Sequence, residues 1–378
     1  MRRKRKGIRW TLIFTLAILF GGLGFLAYTY FNHEPDVPPI VIVPKEPIDH
    51  REEGGFFELP VNGASGYASI PTTMFQEADE QSENLATMAA GQVFTILREQ
   101  GVWWRIEMDG MKGWIHHRFA LINLPDVIPS IVYDLTNTYA SELRSSGFDL
   151  PGITGYKLYD ARAFNERFNE ETFIVPILYA TAQKLQLAQN NALREGDTLV
   201  VHETFRPAFV QRKIVNALRL LSEQNEIVRQ GISQAPWSMI WFIATSVSNH
   251  QRGYAVDMSL AQVISTQEKV SGEYRYLDVT KYEPYVMPSP FHELSIASVA
   301  FTEPVDSYSD SAWRMSIFAS SMNQAARDLQ TYATKAGLSP LASEWWHFND
   351  LSQELDVRAS GNTGQYQMRT VQSKVPRN

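Results

Sequence analysis

Apolar positions along this chain change period several times, and each change marks a new kind of element. Trp10 to Phe31 is an uncharged, mainly apolar run of twenty-two residues, against the roughly 20 that a helix needs to cross a bilayer. That run predicts a membrane-spanning helix. From 61 to 123 the pattern becomes short apolar stretches cut by turn residues: Gly91-Gln-Val-Phe-Thr-Ile-Leu97, Gly101-Val-Trp-Trp-Arg-Ile-Glu-Met108 and Gly113-Trp-Ile115, with Asp109-Gly110 between the last two. Strands this closely spaced, with a strong hairpin signal at Asp109-Gly110, predict a small all-β barrel. A 3.6-residue period then takes over. Ile174, Leu178, Leu185, Ala188 and Ala192 trace one helix face, and Gly196 stops it. Thr198 to His202 reads as a buried strand, and Pro207 opens a second helix with Val210, Ile214, Ala217 and Leu221 inward. Asp310 or Ser311 is the candidate cap of a third, with Phe318, Met322, Leu329 and Tyr332 inward and Gly337 at its end. Helices mixed with short strands make 124–359 an α+β domain, a small antiparallel sheet with helices.

Charge orients the chain. Six cations among the first nine residues precede the apolar run, so basic segment 1–9 is expected in the cytoplasm, with 10–31 an anchor and everything beyond it extracytoplasmic. A cleaved signal peptide competes, but its apolar core is normally roughly 7–15 residues and ends in small residues, whereas this run closes on Tyr28, Tyr30 and Phe31. Removing those six cations from a net charge of −7 leaves −13 on the remainder, which argues against nucleic acid as a partner. Pro35, Pro38, Pro39, Pro44, Pro47 and Pro60 make 32–60 an extended tether. Residues 360–378 are polar without an apolar period, and a disordered tail is expected there. The chain has no cysteine, so any metal must be held by His, Asp or Glu.

The candidate chemistry lies in two segments almost ninety residues apart: Ser248-Asn-His250-Gln-Arg-Gly253-Tyr-Ala255-Val-Asp257 and Glu344-Trp-Trp-His347. Two imidazoles and a carboxylate can supply three ligands to zinc while a second carboxylate serves as base, the minimum set for metal-assisted hydrolysis. Gly253 permits a sharp bend, and from Tyr254 to Leu260 large apolar residues alternate with small or polar ones, as in a strand, so that Asp257 faces away from the core. Glu344 and His347 meet one site through either a helical turn or a bent strand. Trp345 and Trp346 would wall that site off from water. The other features have plainer readings. His116 and His117 sit on opposite faces of a barrel-edge strand. Trp103, Trp104 and Trp114 are either core fillers or a groove for glycan or peptide. His202 and Trp237 have no assigned role.

These segments resemble the signature of the zinc D-alanyl-D-alanine dipeptidases and carboxypeptidases that include the vancomycin-resistance enzymes: S-x-H-x-x-G-x-A-x-D, then E-x-x-H. Glu203-Thr-Phe-Arg206-Pro207 is similar to that family's D-x-Y-R-P, and Met287-Pro-Ser-Pro-Phe291-His292 to its M-G-T-x-F-D. The resemblance implies a Zn2+ cofactor held by His250, Asp257 and His347, with Glu344 as general base or acid and Arg206 binding the developing oxyanion. It also implies Ser248, Trp346 and His292 as candidate substrate contacts, although His292 is read first as a loop residue. Phe205 replaces the motif's Tyr, Pro288 its Gly and His292 its Asp, and losing the acid weakens recognition of a substrate ammonium. The expected activity is therefore D,D-carboxypeptidase action on D-Ala-containing peptidoglycan peptides; the alternatives are a D-Ala-D-Ala dipeptidase and a non-catalytic wall-binding protein. The Trp-Trp-Arg-Ile, Asp-Gly and Gly-Trp-Ile-His series of 61–123 resembles bacterial SH3-like domains of cell-wall enzymes, which implies the wall as a second partner beside the membrane.

Overall fold

A computed structural model describes residues 45–377, together with Leu19 and Leu23, both helical. Basic segment 1–9, most of the expected anchor and tether residues 32–44 therefore lie outside the described residues. Among the described residues no helix is long and apolar enough to cross a membrane.

Residues 65–123 form the expected β region. Seven antiparallel strands, Ser65–Ala68, Thr72–Phe75, Asn84–Met88, Val93–Gln100, Trp103–Met108, Met111–His116 and Ala120–Asn123, follow one another through short turns. Asp109 and Gly110 both take positive φ, 51° and 80°, between the paired Met108 and Met111. That is the two-residue turn whose twist matches the flanking strands. Trp104, Tyr67, Phe94, Met74 and Ile115 are fully buried and Trp114 nearly so, while Trp103 is half-buried. The tryptophans are mainly core fillers.

The expected boundary at 123 is corrected. Pro176–Leu178 pairs with Ala120–Asn123 and extends the barrel sheet. The Trp104 ring meets Tyr179 edge-on at 4.8 Å. From Pro47 on, the described residues form one compact unit. Pro176 therefore sits in a strand and not near a helix start, and the helix expected there runs Tyr179–Arg194. A second sheet of six strands lies beyond the barrel. Its order is Ser339–Leu341, Glu344–Asn349, Ala255–Ser271, Asp197–Glu203 and Val132–Tyr133, with Tyr274–Pro284 paired along Ala255–Ser271. All its pairs are antiparallel except the last along the row, Asp197–Glu203 with Val132–Tyr133. Mixed α and β content thus follows the barrel, with helices Tyr179–Arg194, Ala208–Gln224 and Gln324–Lys335. The third helix is shorter than expected. Asn323 caps it by accepting from Ala326 N, leaving Asp310 and Ser311 to a separate short turn.

Both flanks of the β region are more ordered than their composition suggested. In the expected tether, Phe57, Glu58 and Leu59 are buried, and Ile48 bridges to Tyr274. In the expected disordered tail, Lys374 N donates to Gly63 O at 2.7 Å and Gln372 N to Ser65 Oγ at 2.8 Å. Buried Arg167 joins both ends, donating to Pro60 O at 3.0 Å and Lys374 O at 3.3 Å. Polar composition misleads here because a few apolar residues, Phe57, Leu59 and Met368 among them, reach the core while backbone and guanidinium hydrogen bonds hold the rest.

Candidate metal centre

The site begins with a register. Asp257 stands directly opposite His347 on one neighbouring strand and opposite Glu203 on the other. Because side chains directly opposite in a sheet project from the same face, three adjacent strands set His347, Asp257 and Glu203 in one row. Glu344 joins them through a distortion. Phe348 pairs with Pro340 and Glu344 with Leu341, so four steps on one strand match one on the other. That bulge re-aims a side chain that strict alternation would turn away. Between a helical turn and a bent strand, the bent strand is what the chain adopts.

His250 enters from outside the sheet, on the Asn249–Arg252 turn. Ser248 Oγ accepts from Gln251 N, and Gln251 Oε1 accepts from Ser248 N at 3.0 Å, a reciprocal cap. Ser248 therefore builds the turn with its hydroxyl, and it also lines the cavity over the site. Gly253 ends the turn at φ 78°, and a Cβ there would stand 2.6 Å from Leu121 Cδ2 of the barrel. Only glycine suits both the left-handed backbone and that approach.

His250 Nε2, His347 Nδ1 and the Asp257 carboxylate converge. His250 Nε2 is 3.1 Å from His347 Nδ1 and 3.3 Å from Asp257 Oδ2, and His347 Nδ1 is 2.9 Å from Asp257 Oδ1. The outer nitrogens fix the tautomers. His250 Nδ1 donates to the Thr204 carbonyl at 2.7 Å, and His347 Nε2 to Asn349 Oδ1 at 3.1 Å. Asn349 Oδ1 is assigned as acceptor because Asn249 Nδ2 also donates to it, at 2.9 Å. The inner three atoms are then all acceptors pointing at one another, an arrangement that calls for a cation. Tetrahedral zinc with bonds near 2.0–2.1 Å has ligand-to-ligand edges of about 3.3 Å. The donor set fits zinc in type, spacing and outer hydrogen bonding.

Around this triad the other buried groups are tightly engaged. Arg206 Nε donates to Glu203 Oε2 at 2.8 Å, its Nη1 to Gln211 Oε1 at 2.9 Å, and its Nη2 to Glu203 and, at 3.5 Å, to Asp257 Oδ2. Burial opposes ionisation of both acids. Even so, the neighbouring histidines, His250 foremost, hold Asp257 well below the usual carboxylate range, and the Arg206 guanidinium lowers Glu203. Glu344 goes the other way. Burial pushes its carboxyl up to about 8; Asp257 and Glu203 add to the rise, and His347 and Arg206 oppose it. Its Oε2 lies 3.7 Å from His347 Nδ1.

His292 is corrected from loop residue to site residue. At φ 59° it is buried, and its Nε2 donates to Asp257 Oδ2 at 3.1 Å while Nδ1 has no partner. Trp346, also buried, packs against the Phe291 and His292 rings and lines the cavity over the site, about 360 Å³ in volume, with Arg206, Glu344 and His292. The sequence reading missed the part played by Glu203, whose signal is its i,i+3 spacing to Arg206 at the end of a buried strand. It also missed Gln211, Asn349 and Gln251, which carry no signal of their own. His202 is a satisfied core histidine, bonded to Asp134 O at 3.1 Å and Ser259 Oγ at 2.8 Å. His116 and His117 lie outside the cavity.

Comparison with known proteins identifies one part of the chain. The family model of the bacterial SH3 domain matches residues 72–120, which covers five of the seven barrel strands. No curated protein matches the chain.

Proposed function

We propose that the chain is a zinc peptidase that releases D-alanine from peptidoglycan peptides, a D,D-carboxypeptidase, anchored in the membrane by 10–31 and facing outward. The observation that carries this reading is the convergence of three acceptor atoms from His250, Asp257 and His347 with both outer ring nitrogens already committed. Zinc bound there supplies a Lewis acid and a water acidic enough to ionise near pH 7. Glu344, whose Oε2 lies 3.7 Å from His347 Nδ1, takes the proton of the attacking water and returns it to the leaving amine. Arg206, held rigid by Glu203 and Gln211, offers a remaining Nη1 hydrogen to the oxyanion. Trp346, which lines the cavity, keeps bulk water from the reacting carbonyl.

His292 favours a longer acyl peptide over a free dipeptide, because it stands where the motif has an acid and brings no carboxylate to pair with a substrate ammonium. The bacterial SH3 match supports a wall-associated role for the barrel. The test is zinc content together with D-alanine release from an acyl pentapeptide and from free D-Ala-D-Ala. Release from the acyl peptide alone is expected. Cleavage of the free dipeptide alone moves the assignment to a dipeptidase, and a zinc-loaded protein inert on both leaves a wall-binding protein.

A further inference from the structure

The C-terminal segment touches the chain next to His250 and Arg206. Gln251, which follows His250, donates through Nε2 to Thr363 O at 2.7 Å, and Asn362 Nδ2 donates to Arg252 O at 3.3 Å. Two residues past Arg206, Ala208 N donates to Gly364 O at 2.9 Å. On its other side Phe205 stacks on Tyr366, centroids 5.1 Å apart and planes 12° from parallel. Farther along, Tyr366 Oη donates to Ser69 O at 3.0 Å and Tyr67 Oη to Thr370 O at 2.9 Å, so the barrel holds the far half.

Gly364 is where this contact is tightest. It takes φ 60°, and a Cβ there would lie 2.8 Å from Gln251 Cβ and 2.9 Å from Gln251 O. Those atoms belong to the backbone and stem of the turn and cannot rotate away. Gly361 shares the left-handed backbone at φ 78°, yet a Cβ there would meet nothing within 4 Å.

We infer that residues 362–366 position the metal centre: seated on Gln251 through Gly364, they hold the turn that carries His250 and so set the affinity for zinc. Gly364 and Gln251 are positioning residues that touch neither ion nor substrate. The inference rests on His250 being a zinc ligand. Outer contacts of ligand residues commonly tune metal affinity by about 10–100-fold.

The experiment is chelator competition for zinc on the detergent-solubilised full chain, comparing wild type, Gly364→Ala and Gly361→Ala, with thermal melting of each metal-free protein. The expected result is about tenfold weaker zinc binding or more in Gly364→Ala and wild-type affinity in Gly361→Ala. Equal affinities in Gly364→Ala and wild type, or an equal loss in Gly361→Ala, would overturn it. If Gly364→Ala does not fold, Gln251→Met takes its place, and wild-type zinc affinity there sinks the inference. A wild type that binds no zinc removes the peptidase reading as well, whereas zinc-binding wild type with an indifferent Gly364→Ala removes only the positioning role.

Discussion

The barrel and the six-stranded sheet use the same pleat for opposite ends. In the barrel, Ile96, Ile106 and Gly113 share one row across three strands, and Trp104 faces Ile115. In the other sheet the corresponding row is Glu203, Asp257 and His347. The first row buries hydrocarbon and stabilises the fold directly, by about 25 cal/mol for each Å² removed from water. The second buries ionisable groups, each costing several kcal/mol unless paired, and depends on Arg206, His250 and His292 for balance. Stability is concentrated where the row is apolar, and the proposed chemistry where the row stays charged against that cost. The two can therefore be broken separately.

The largest expected effect separates them at Glu344. Glu344→Gln keeps the shape and removes the proton acceptor, so turnover should drop by about 10²–10⁴-fold while zinc content stays near that of wild type. A variant that loses its zinc in step with its activity would show that Glu344 serves the ion and not the proton. Next comes the barrel. Trp104 is fully buried between Phe94, His117 and Tyr179. Trp104→Ala should cost about 3–5 kcal/mol of stability, read by denaturant unfolding, with kcat per folded molecule unchanged. A fall in kcat in the folded fraction would mean that the barrel steers the site through the Tyr179 contact.

The same division explains what could be read from the residues in advance. The Asp109-Gly110 hairpin, the Gly253 bend and a strand through Asp257 are local, and all three appear as expected, although both faces of that strand are buried. His250, Asp257, Glu344 and His347 stand out because motif spacing is local too. What escapes depends on partners distant in the chain. Asn349 supports His347 only because Asn249, a hundred positions earlier, orients its amide. His292 enters the site through a positive φ that nothing in Phe291-His292-Glu293 announces. The tail departs from its composition because Lys374 and Gln372 gain their order from Gly63 and Ser65, some three hundred residues upstream.

The smallest expected effect tests whether a buried carboxyl outside the row is costly when its nearest cation, Arg51, forms no direct ion pair with it. Glu58 is buried, accepts from Ser130 N at 3.0 Å and from Ser130 Oγ, and burial raises its pKa from 4.5 to about 7. Below about pH 4.5 both states hold the proton, and the carboxyl carries no ionisation penalty. Between there and about pH 7 the unfolded chain ionises first, so stability falls as pH rises and levels off above the folded value. The full loss is at most about 3 kcal/mol, since each pH unit between the unfolded and folded midpoints contributes about 1.36 kcal/mol. Glu58→Gln removes that slope while keeping an amide oxygen to accept from Ser130 N. Melting curves should place the variant close to wild type at pH 4.5 and above it at pH 8. A variant equally destabilised at both pH values would mean that Glu58 acts through its hydrogen bonds alone, and that the contrast with the balanced row of Glu203, Asp257 and His347 is one of geometry, not of charge.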